Sequence, residues 1–461
     1  MKATLAALAQ CCGGRLVGPD AAFSGVSTDS RTVGPGELFV ALSGPRFNGE
    51  DYVAAAAARG AAGALVRTGQ HTAIGQVVVA DTLLALAASA HAWRESFPIP
   101  LVGVAGSNGK TTVKEMISSI LSQAGPCLST RGNLNNHIGV PLTLFRIRAE
   151  HRFAVIEMGA DRAGEVEALV RIGRPTVGII TNAGAEHLEG FGSLEGVARA
   201  EGEMVAGLAA DATAIINHDD PFAALWKSLT AARVWTFGVQ PGAHFTAGSV
   251  HTTIDASGFL TRFTLHAPQG SVPVELHLAG RHNLVNALGA AAAATAAGAG
   301  LAEVAQGLAA VQPVPGRLQF KRAASGAWII DDSYNANPSS VEAGLEVLSQ
   351  LSGRRWLVFA DMAELGEYAT ESHRQVGEWA RAAGIERLFA TGTQARLAVA
   401  AFGAGATWFA DTTALAAGVN AELALIDPAS AAAEVRLLVK GSRFNRLEQV
   451  VAALVAAHPG T

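Results

Sequence analysis

Cysteine, tyrosine and charge are all scarce in this chain: three cysteines, three tyrosines and 16% charged residues in 461. Cys11 and Cys12 are adjacent, so the thiols can build neither a disulfide framework nor a spaced metal cluster, which suits a reducing cytoplasm. No Lys/Arg stripe occurs, and 34 basic against 39 acidic residues leave a net charge of −5. That excludes a nucleic-acid-coating surface and leaves small molecules or proteins as partners. A bilayer-spanning run is missing too. The longest small-residue stretch, Ala287 to Leu301, is punctuated by glycine and reads as a buried helix, so no membrane insertion is expected. Lys2, Ala3 to Ala9 and Cys11 faintly resemble a lipoprotein export signal. The apolar part is too short, however, and Leu5, Leu8, Ala9 and Cys12 share one helical face, which predicts an ordinary first helix.

What is present points to an α/β protein of about three domains. Residues 1–97 read as a small α/β unit with strands within Val26 to Leu42 and at Ala64 to Val66 and Val77 to Val79, and helices at Tyr52 to Arg59 and Thr82 to Trp93. Residues 98–312 alternate strands (Leu101 to Ala105, Phe153 to Glu157, Val177 to Thr181, Thr213 to Ile216) with helices, as a mostly parallel sheet requires. From Val234 to Leu278 the period becomes two, predicting an antiparallel extension. Pro313-Val314-Pro315-Gly316 reads as a hinge that lets domains part when no ligand is bound. Residues 313–461 repeat strand and helix as a Rossmann-like, doubly wound domain.

The densest chemical signal is Gly106-Ser107-Asn108-Gly109-Lys110-Thr111-Thr112, between a buried strand and a helix with Val113, Met116, Ile117, Ile120 and Leu121 on its apolar face. Such a turn offers a phosphate the free N–H groups and positive dipole end of a helix, with Lys110 for the β/γ oxygens and Thr111 for Mg²⁺. The fit is incomplete, because Val104 stands where a further glycine is usual. ATP is the nucleotide this loop predicts.

Ligands of open α/β sheets sit beyond the carboxyl ends of strands. Glu157 ends one such strand, as a second Mg²⁺ ligand would, and Asn182 ends another. His187 shares a loop with Glu186 and Glu189, where metal binding and a structural role are about equally supported. Asn283 and Asn286 could read an adenine edge, and Asn283 equally suits a helix N-cap. Arg317, just past the hinge, could swing onto a γ-phosphate. Asp331 to Pro338 suits a ribose hydroxyl and a polar substrate, or plain turn chemistry. Lys440-Gly441-Ser442-Arg443 offers two cations after the last clear strand.

In this order, the set resembles the Mur ligases of peptidoglycan synthesis across essentially the whole chain. The resemblance implies the activity that adds D-alanyl-D-alanine to UDP-N-acetylmuramoyl-tripeptide, through an acyl phosphate, in a cytoplasmic monomer. The motifs behind that choice are Asp331 to Pro338, Asp361 to Gly366, Leu188 to Gly192, and Ser27 to Arg31 with Gly36 to Leu42. The Asp-Asn-Pro-Arg stretch of the tripeptide-forming relative does not occur. Ser27, Thr28, Asp29, Ser30 and Arg31 would then hold the UDP end. Gly106 to Thr112, Asn283, Asn286, Arg317 and Asp332 would hold ATP, and Thr111, Glu157, His187 and Glu201 would hold Mg²⁺. Asn182, Asn335, Asn337, Lys440, Ser442 and Arg443 would contact substrate, with Lys110, His187, Glu201 and Arg317 catalytic. Glu201 stands where the family usually carries a carbamylated lysine, which implies that its carboxylate replaces the carbamate. Two other readings are a different branch of the superfamily, such as a folylpolyglutamate synthase, and a non-catalytic ATP-binding regulator. The Ser27 to Arg31 and Tyr334 to Pro338 motifs argue against the first, and Lys110, Thr111, Glu157, His187 and Arg317 together argue against the second.

Overall fold

The protein is described from a computed structural model that covers residues 3–45, 47–185, 188–255, 258–426 and 434–456. Its centre is a six-stranded parallel sheet in the order Cys127–Ser129, Phe153–Glu157, Leu101–Ala105, Val177–Ile180, Thr213–Asn217, Arg233–Phe237. All five residues of Leu101–Ala105 are buried, because helices cover both faces of the sheet. Val102 and Val104 face the helices Lys110–Ala124, Arg281–Ala296 and Leu301–Ala310, whereas Leu101 and Ala105 face Glu165–Gly173 and Leu194–Ala206. Register places Val104 beside Glu157 and Ala105 beside Ile180, so three strands end together at one edge.

The two-residue period does not begin at Val234 as expected. Arg233–Phe237 pairs parallel with Thr213–Asn217 and closes the sheet, and its edge position, with Arg233 exposed, produces the polar alternation that suggests an antiparallel strand. The antiparallel extension is a separate three-stranded sheet: Thr246–Asp255, Gly258–Ala267 and Gly270–Leu276.

Toward the N-terminus lies a five-stranded sheet: Gly25–Ser27, Glu37–Val40, Gly63–Val66 and Gly75–Val78 are parallel, and Arg15–Val17 runs antiparallel at the edge. The helix Leu5–Cys12 buries Leu5, Leu8 and Ala9 as its periodicity predicts. One apolar cluster runs from these residues through Leu86 and Ala90 into Leu144 and Ile180 of the central unit. At that junction buried Arg94 donates to the carbonyls of Gly173 (3.2 Å), Ile99 (3.0 Å) and Phe97, and Trp93 donates to Ile147 O at 3.3 Å.

The C-terminal sheet orders Gln319–Arg322, Trp328–Asp332, Val435–Lys440, Arg354–Ala360, Arg387–Thr391 and Ala406–Phe409, with only the first strand antiparallel. The last strand in sequence lies between two earlier ones, so Lys440 pairs with both Asp332 and Phe359. Separate apolar clusters cover the two faces, one with Val341, Leu345 and Val376, the other with Leu415, Val419 and Val451. That is the doubly wound arrangement. Among the described residues no helix is long and apolar enough to cross a membrane.

The loop-bearing helix is fixed from behind at very close range. A Cβ added at Gly307 would lie 2.3 Å from Ile120 Cα, and Ser119 donates to Gly307 O at 2.7 Å. Gly307→Ala should therefore cost about 1–3 kcal/mol of stability, read as a lower urea midpoint at unchanged slope. An unchanged midpoint would mean that the two helices are free to move apart.

Candidate active site

Two glycines shape the turn after Leu101–Ala105. Gly106 has φ 123°, and a Cβ there would come 2.0 Å from Thr181 Oγ1. Gly109 (φ 83°) begins the helix Lys110–Ala124, which no side chain caps. The backbone between them is held from behind. Asn108 N–H donates to Asn182 Oδ1 (3.0 Å), and Asn108 O accepts from Asn182 Nδ2 (3.0 Å) and Thr181 Oγ1 (2.7 Å). Gly106 N–H donates to Glu201 Oε2 at 2.6 Å. Lys110 Nζ folds over the turn to the carbonyls of Gly106 (2.5 Å) and Ser107 (3.0 Å), a cation placed where anionic oxygens would be met.

This turn forms one wall of a cavity of about 520 Å³. Of the residues singled out from sequence, Ser107 to Thr112, Glu157, Asn182, Asn283, Asn286, Arg317, Asp332, Asn335, Asn337 and Lys440 line it. Gly106 and Glu201 stand behind the turn. Ser442 lies outside the lining and ties the loop backbone, donating to Ala336 O (3.0 Å) and accepting from Ala363 N (2.9 Å). Arg443 is exposed, pairs with Glu448 at 3.1 Å, and does not line the cavity, so the Lys440 to Arg443 stretch brings one cation there rather than two. Ser27 to Arg31 are also elsewhere, with Asp29 and Arg31 forming a two-bond fork (3.0 and 2.8 Å) that holds the Asp29 carboxyl down at about 2. His187 and Glu186 fall outside the described residues.

The donor set suits a hard divalent cation. Glu157 is 3% exposed; its Oε1 accepts from Asn135 Nδ2 at 2.8 Å, and its Oε2 is buried with no partner. Thr111 shares the cavity, and among the described residues no three His, Cys, Asp or Glu cluster as a metal cage. One carboxylate and one hydroxyl match the way Mg²⁺ is held when phosphates and waters complete its shell.

The opposite wall comes from the C-terminal unit. Lys440, 2% exposed, donates to Asp332 Oδ2 (2.5 Å) and Asn335 O (3.1 Å), while Asp332 Oδ1 accepts from Leu318 N at 3.2 Å. Arg317 Nη2 donates to Thr111 Oγ1 at 3.1 Å, its guanidinium lies 4.6 Å from the centre of the Tyr334 ring, and its Nε is buried without a partner. Asn337 caps the helix Pro338–Ser349, accepting from Ser340 N at 2.9 Å, and its amide donates to Asn108 Oδ1 at 2.8 Å. Beyond the cavity, Glu189 N–H reaches Glu364 O at 3.5 Å. The two units thus meet directly, where the Pro313 to Gly316 hinge predicts an open form. Asn283 is not the N-cap of its helix, a place taken by Gly280; its Nδ2 donates to Ala279 O at 2.8 Å.

Sequence reasoning gave no role to several lining residues, among them Asn135, Ser339 and His282. His282 directly precedes Asn283, which was the available signal. Burial pushes its pKa down to about 4; Asp332 opposes that shift and Lys440 adds to it, so the ring is neutral near pH 7.

The geometry has clear counterparts. Residues 22–95 match the Mur ligase family catalytic domain, 104–294 the Mur ligase middle domain, and 316–459 the Mur ligase glutamate ligase domain. The UDP-N-acetylmuramoyl-tripeptide–D-alanyl-D-alanine ligase of Escherichia coli K12 is 44% identical over 453 residues, 98% of each chain. This chain belongs to the Mur ligase family. The MurF structure of Acinetobacter baumannii superposes on this Mur ligase with a TM-score of 0.92 at 34% identity, covering 99% of each chain. MurF of Thermotoga maritima, solved in complex with ADP, gives 0.82 at 25% identity, covering 94% of this Mur ligase and 97% of that chain.

The neutral His282 gives this Mur ligase a pH-dependent stability term. Its folded pKa (about 4) lies below the ordinary value of about 6.5, so the stabilisation is complete above that value and is lost as pH falls toward the folded pKa. Between pH 7 and pH 5 the parent should lose about 1–2 kcal/mol more than His282→Gln in denaturant titrations. Equal losses in the two proteins would show that His282 is not held neutral.

Proposed function

We propose that this chain is the ATP-dependent ligase that joins D-alanyl-D-alanine to UDP-N-acetylmuramoyl-tripeptide, yielding the pentapeptide precursor of peptidoglycan. One observation carries the reading: a single cavity has a phosphate-binding turn on one wall and the Lys440–Asp332 pair with Asn335 and Asn337 on the other, with Arg317 between. The match over the full length of the Escherichia coli ligase of that activity supports the choice of substrates. Use of ATP and a UDP-linked substrate supports a cytoplasmic reaction, and a cavity lined by the described residues of one copy supports a monomer.

The tripeptide's terminal carboxylate attacks the γ-phosphorus; the bond to the bridging oxygen breaks, ADP leaves, and an acyl phosphate forms. The dipeptide's neutral amine then attacks the acyl carbon, the tetrahedral adduct expels phosphate, and the amine proton is released. Negative charge sits on phosphoryl oxygens in the first step and on the acyl oxygen and the departing phosphate in the second, so positioned cations do most of the work. Lys110 serves the β/γ oxygens from the turn, and Arg317 serves the transferring group from the hinge side. Mg²⁺, held by Thr111 and Glu157, would neutralise the same oxygens. Glu201 and His187 are proposed for a second metal position, where the Glu201 carboxylate, whose Oε2 accepts from Gly106 N–H, would supply negative charge in place of a carbamate. Asn283 and Asn286 face the adenine and Asp332 the ribose; Asn335 and Lys440 face the peptide substrates, and Asn182 and Asn337, whose amides are engaged by Asn108, shape the cavity wall beside them. Ser442 supports the loop that carries Asn335 and Asn337, and Arg443 contacts substrate from outside the cavity. Ser27 to Arg31 take the UDP end. Closure keeps water from the acyl phosphate.

The deciding assay mixes the purified chain with ATP, Mg²⁺ and UDP-N-acetylmuramoyl-tripeptide, with and without D-alanyl-D-alanine, and follows product by mass. Dipeptide-dependent pentapeptide is expected, and ATP turnover indifferent to the dipeptide would sink the proposal. Arg317→Ala should lower kcat on the order of 10³-fold, and Arg317→Lys should recover little of it, because a lysine lacks the planar fork. Glu201→Ala should lower turnover and raise the Mg²⁺ needed for half-maximal rate; unchanged Mg²⁺ dependence would remove Glu201 from the metal site.

A further inference from the structure

We propose that Asn108 is a docking point: its side chain registers the seating of the C-terminal unit on the phosphate turn, and so links holding of the nucleotide to acceptance of the dipeptide. The backbone of residue 108 is not free for phosphate. Its N–H and C=O are both taken, by Asn182 and Thr181, at 2.7 to 3.0 Å. What remains is the side-chain amide, and it points across the cavity.

There it closes a ring with two residues more than two hundred positions later in the chain. Asn108 Oδ1 accepts from Asn337 Nδ2 at 2.8 Å, Asn108 Nδ2 donates to Ser339 Oγ at 3.1 Å, and Ser339 Oγ donates to Asn337 Oδ1 at 3.1 Å. Each donor meets an acceptor. Asn337 is also the N-cap of Pro338–Ser349, so the ring fixes the first turn of a helix whose preceding loop carries Asn335 to the cavity. Room for the ring is made by Gly184: a Cβ there would come 2.7 Å from Asn108 Nδ2 and 3.0 Å from Ser339 Oγ. Gly184 is itself tied to the turn, its N–H donating to Ser107 Oγ at 2.9 Å.

Asn108 is thus anchored by its backbone to the central sheet and by its side chain to the C-terminal unit. Arg317 to Thr111 also crosses the gap, but Arg317 is charged and, on the proposed function, is drawn to a phosphate. The Asn108 ring is neutral and reads only the relative position of the two units. Asn108 and Ser339 are positioning residues, not catalytic ones.

The kinetic part of the test rests on the ligase reading; a scattering part does not. In the full chain, Ser339→Ala should leave ADP affinity by calorimetry within about twofold of the parent. At saturating ATP and UDP-tripeptide, Ser339→Ala and Asn108→Ala, each of which removes two of the ring's three hydrogen bonds, should each lower kcat/KM for D-alanyl-D-alanine at least about tenfold. The double variant should fall no further, because both changes open the same ring. With a non-hydrolysable ATP analogue and Mg²⁺, small-angle scattering should give each single variant a larger radius of gyration than the parent. Losses that multiply in the double variant, or parental dipeptide kinetics in Ser339→Ala, would overturn the proposal. If the parent makes no pentapeptide, the ligase reading fails instead, and scattering alone decides: identical profiles for parent and Ser339→Ala refute the docking point.

Discussion

The first turn of the helix Lys110–Ala124 carries backbone N–H groups that no side chain caps, and the rest of the site is arranged around that constraint. A helix N-terminus is left uncapped at a cost unless a ligand meets it. Here it sits at the middle of a parallel sheet, beside the strand ends that carry Glu157 and Asn182. Gly106 lets the chain turn tightly against Thr181, Gly109 leaves space for the Asn286 amide, and Glu201 takes up the N–H of Gly106. The turn is held rigid by its neighbours so that its remaining donors face the cavity already oriented.

The opposite wall obeys a different rule. A buried lysine is costly unless its charge is paired and its donors are used. Lys440 meets both conditions with Asp332 and the Asn335 carbonyl. Its ammonium is therefore fixed in place, whereas the Arg317 guanidinium rests on an aromatic face with one buried N–H still unused. One cation is part of the scaffold and the other is poised to move.

What could be read from sequence follows from range. The strand Leu101–Ala105, the apolar face of Lys110–Ala124 and the helix Leu5–Cys12 depend on local periodicity, and each was legible. Glu157 and Asn182 could be placed at strand ends because those strands are fully buried and read as apolar runs. The parallel pairing of Arg233–Phe237 was hidden, since a short edge strand alternates like an antiparallel one. Insertion of Val435–Lys440 between two earlier strands is a matter of long-range pairing with no local mark. For the same reason Arg443, adjacent in sequence to a cavity-lining residue, stays outside the lining between Glu448 and the Tyr334 ring, while His282 and Ser339 join the cavity.

The buried Arg94 adds a last consequence. Its guanidinium links three carbonyls at the joint between the N-terminal and central units, which already share one apolar cluster. No comparable shared cluster of that extent joins the C-terminal unit to the centre, among the described residues. The N-terminal sheet and the phosphate turn are thus two jaws of a fixed gauge. On the proposed function, a substrate tethered by its nucleotide end presents its far carboxylate at the turn only if the intervening stem has the right length, so substrate choice begins as a measurement of distance.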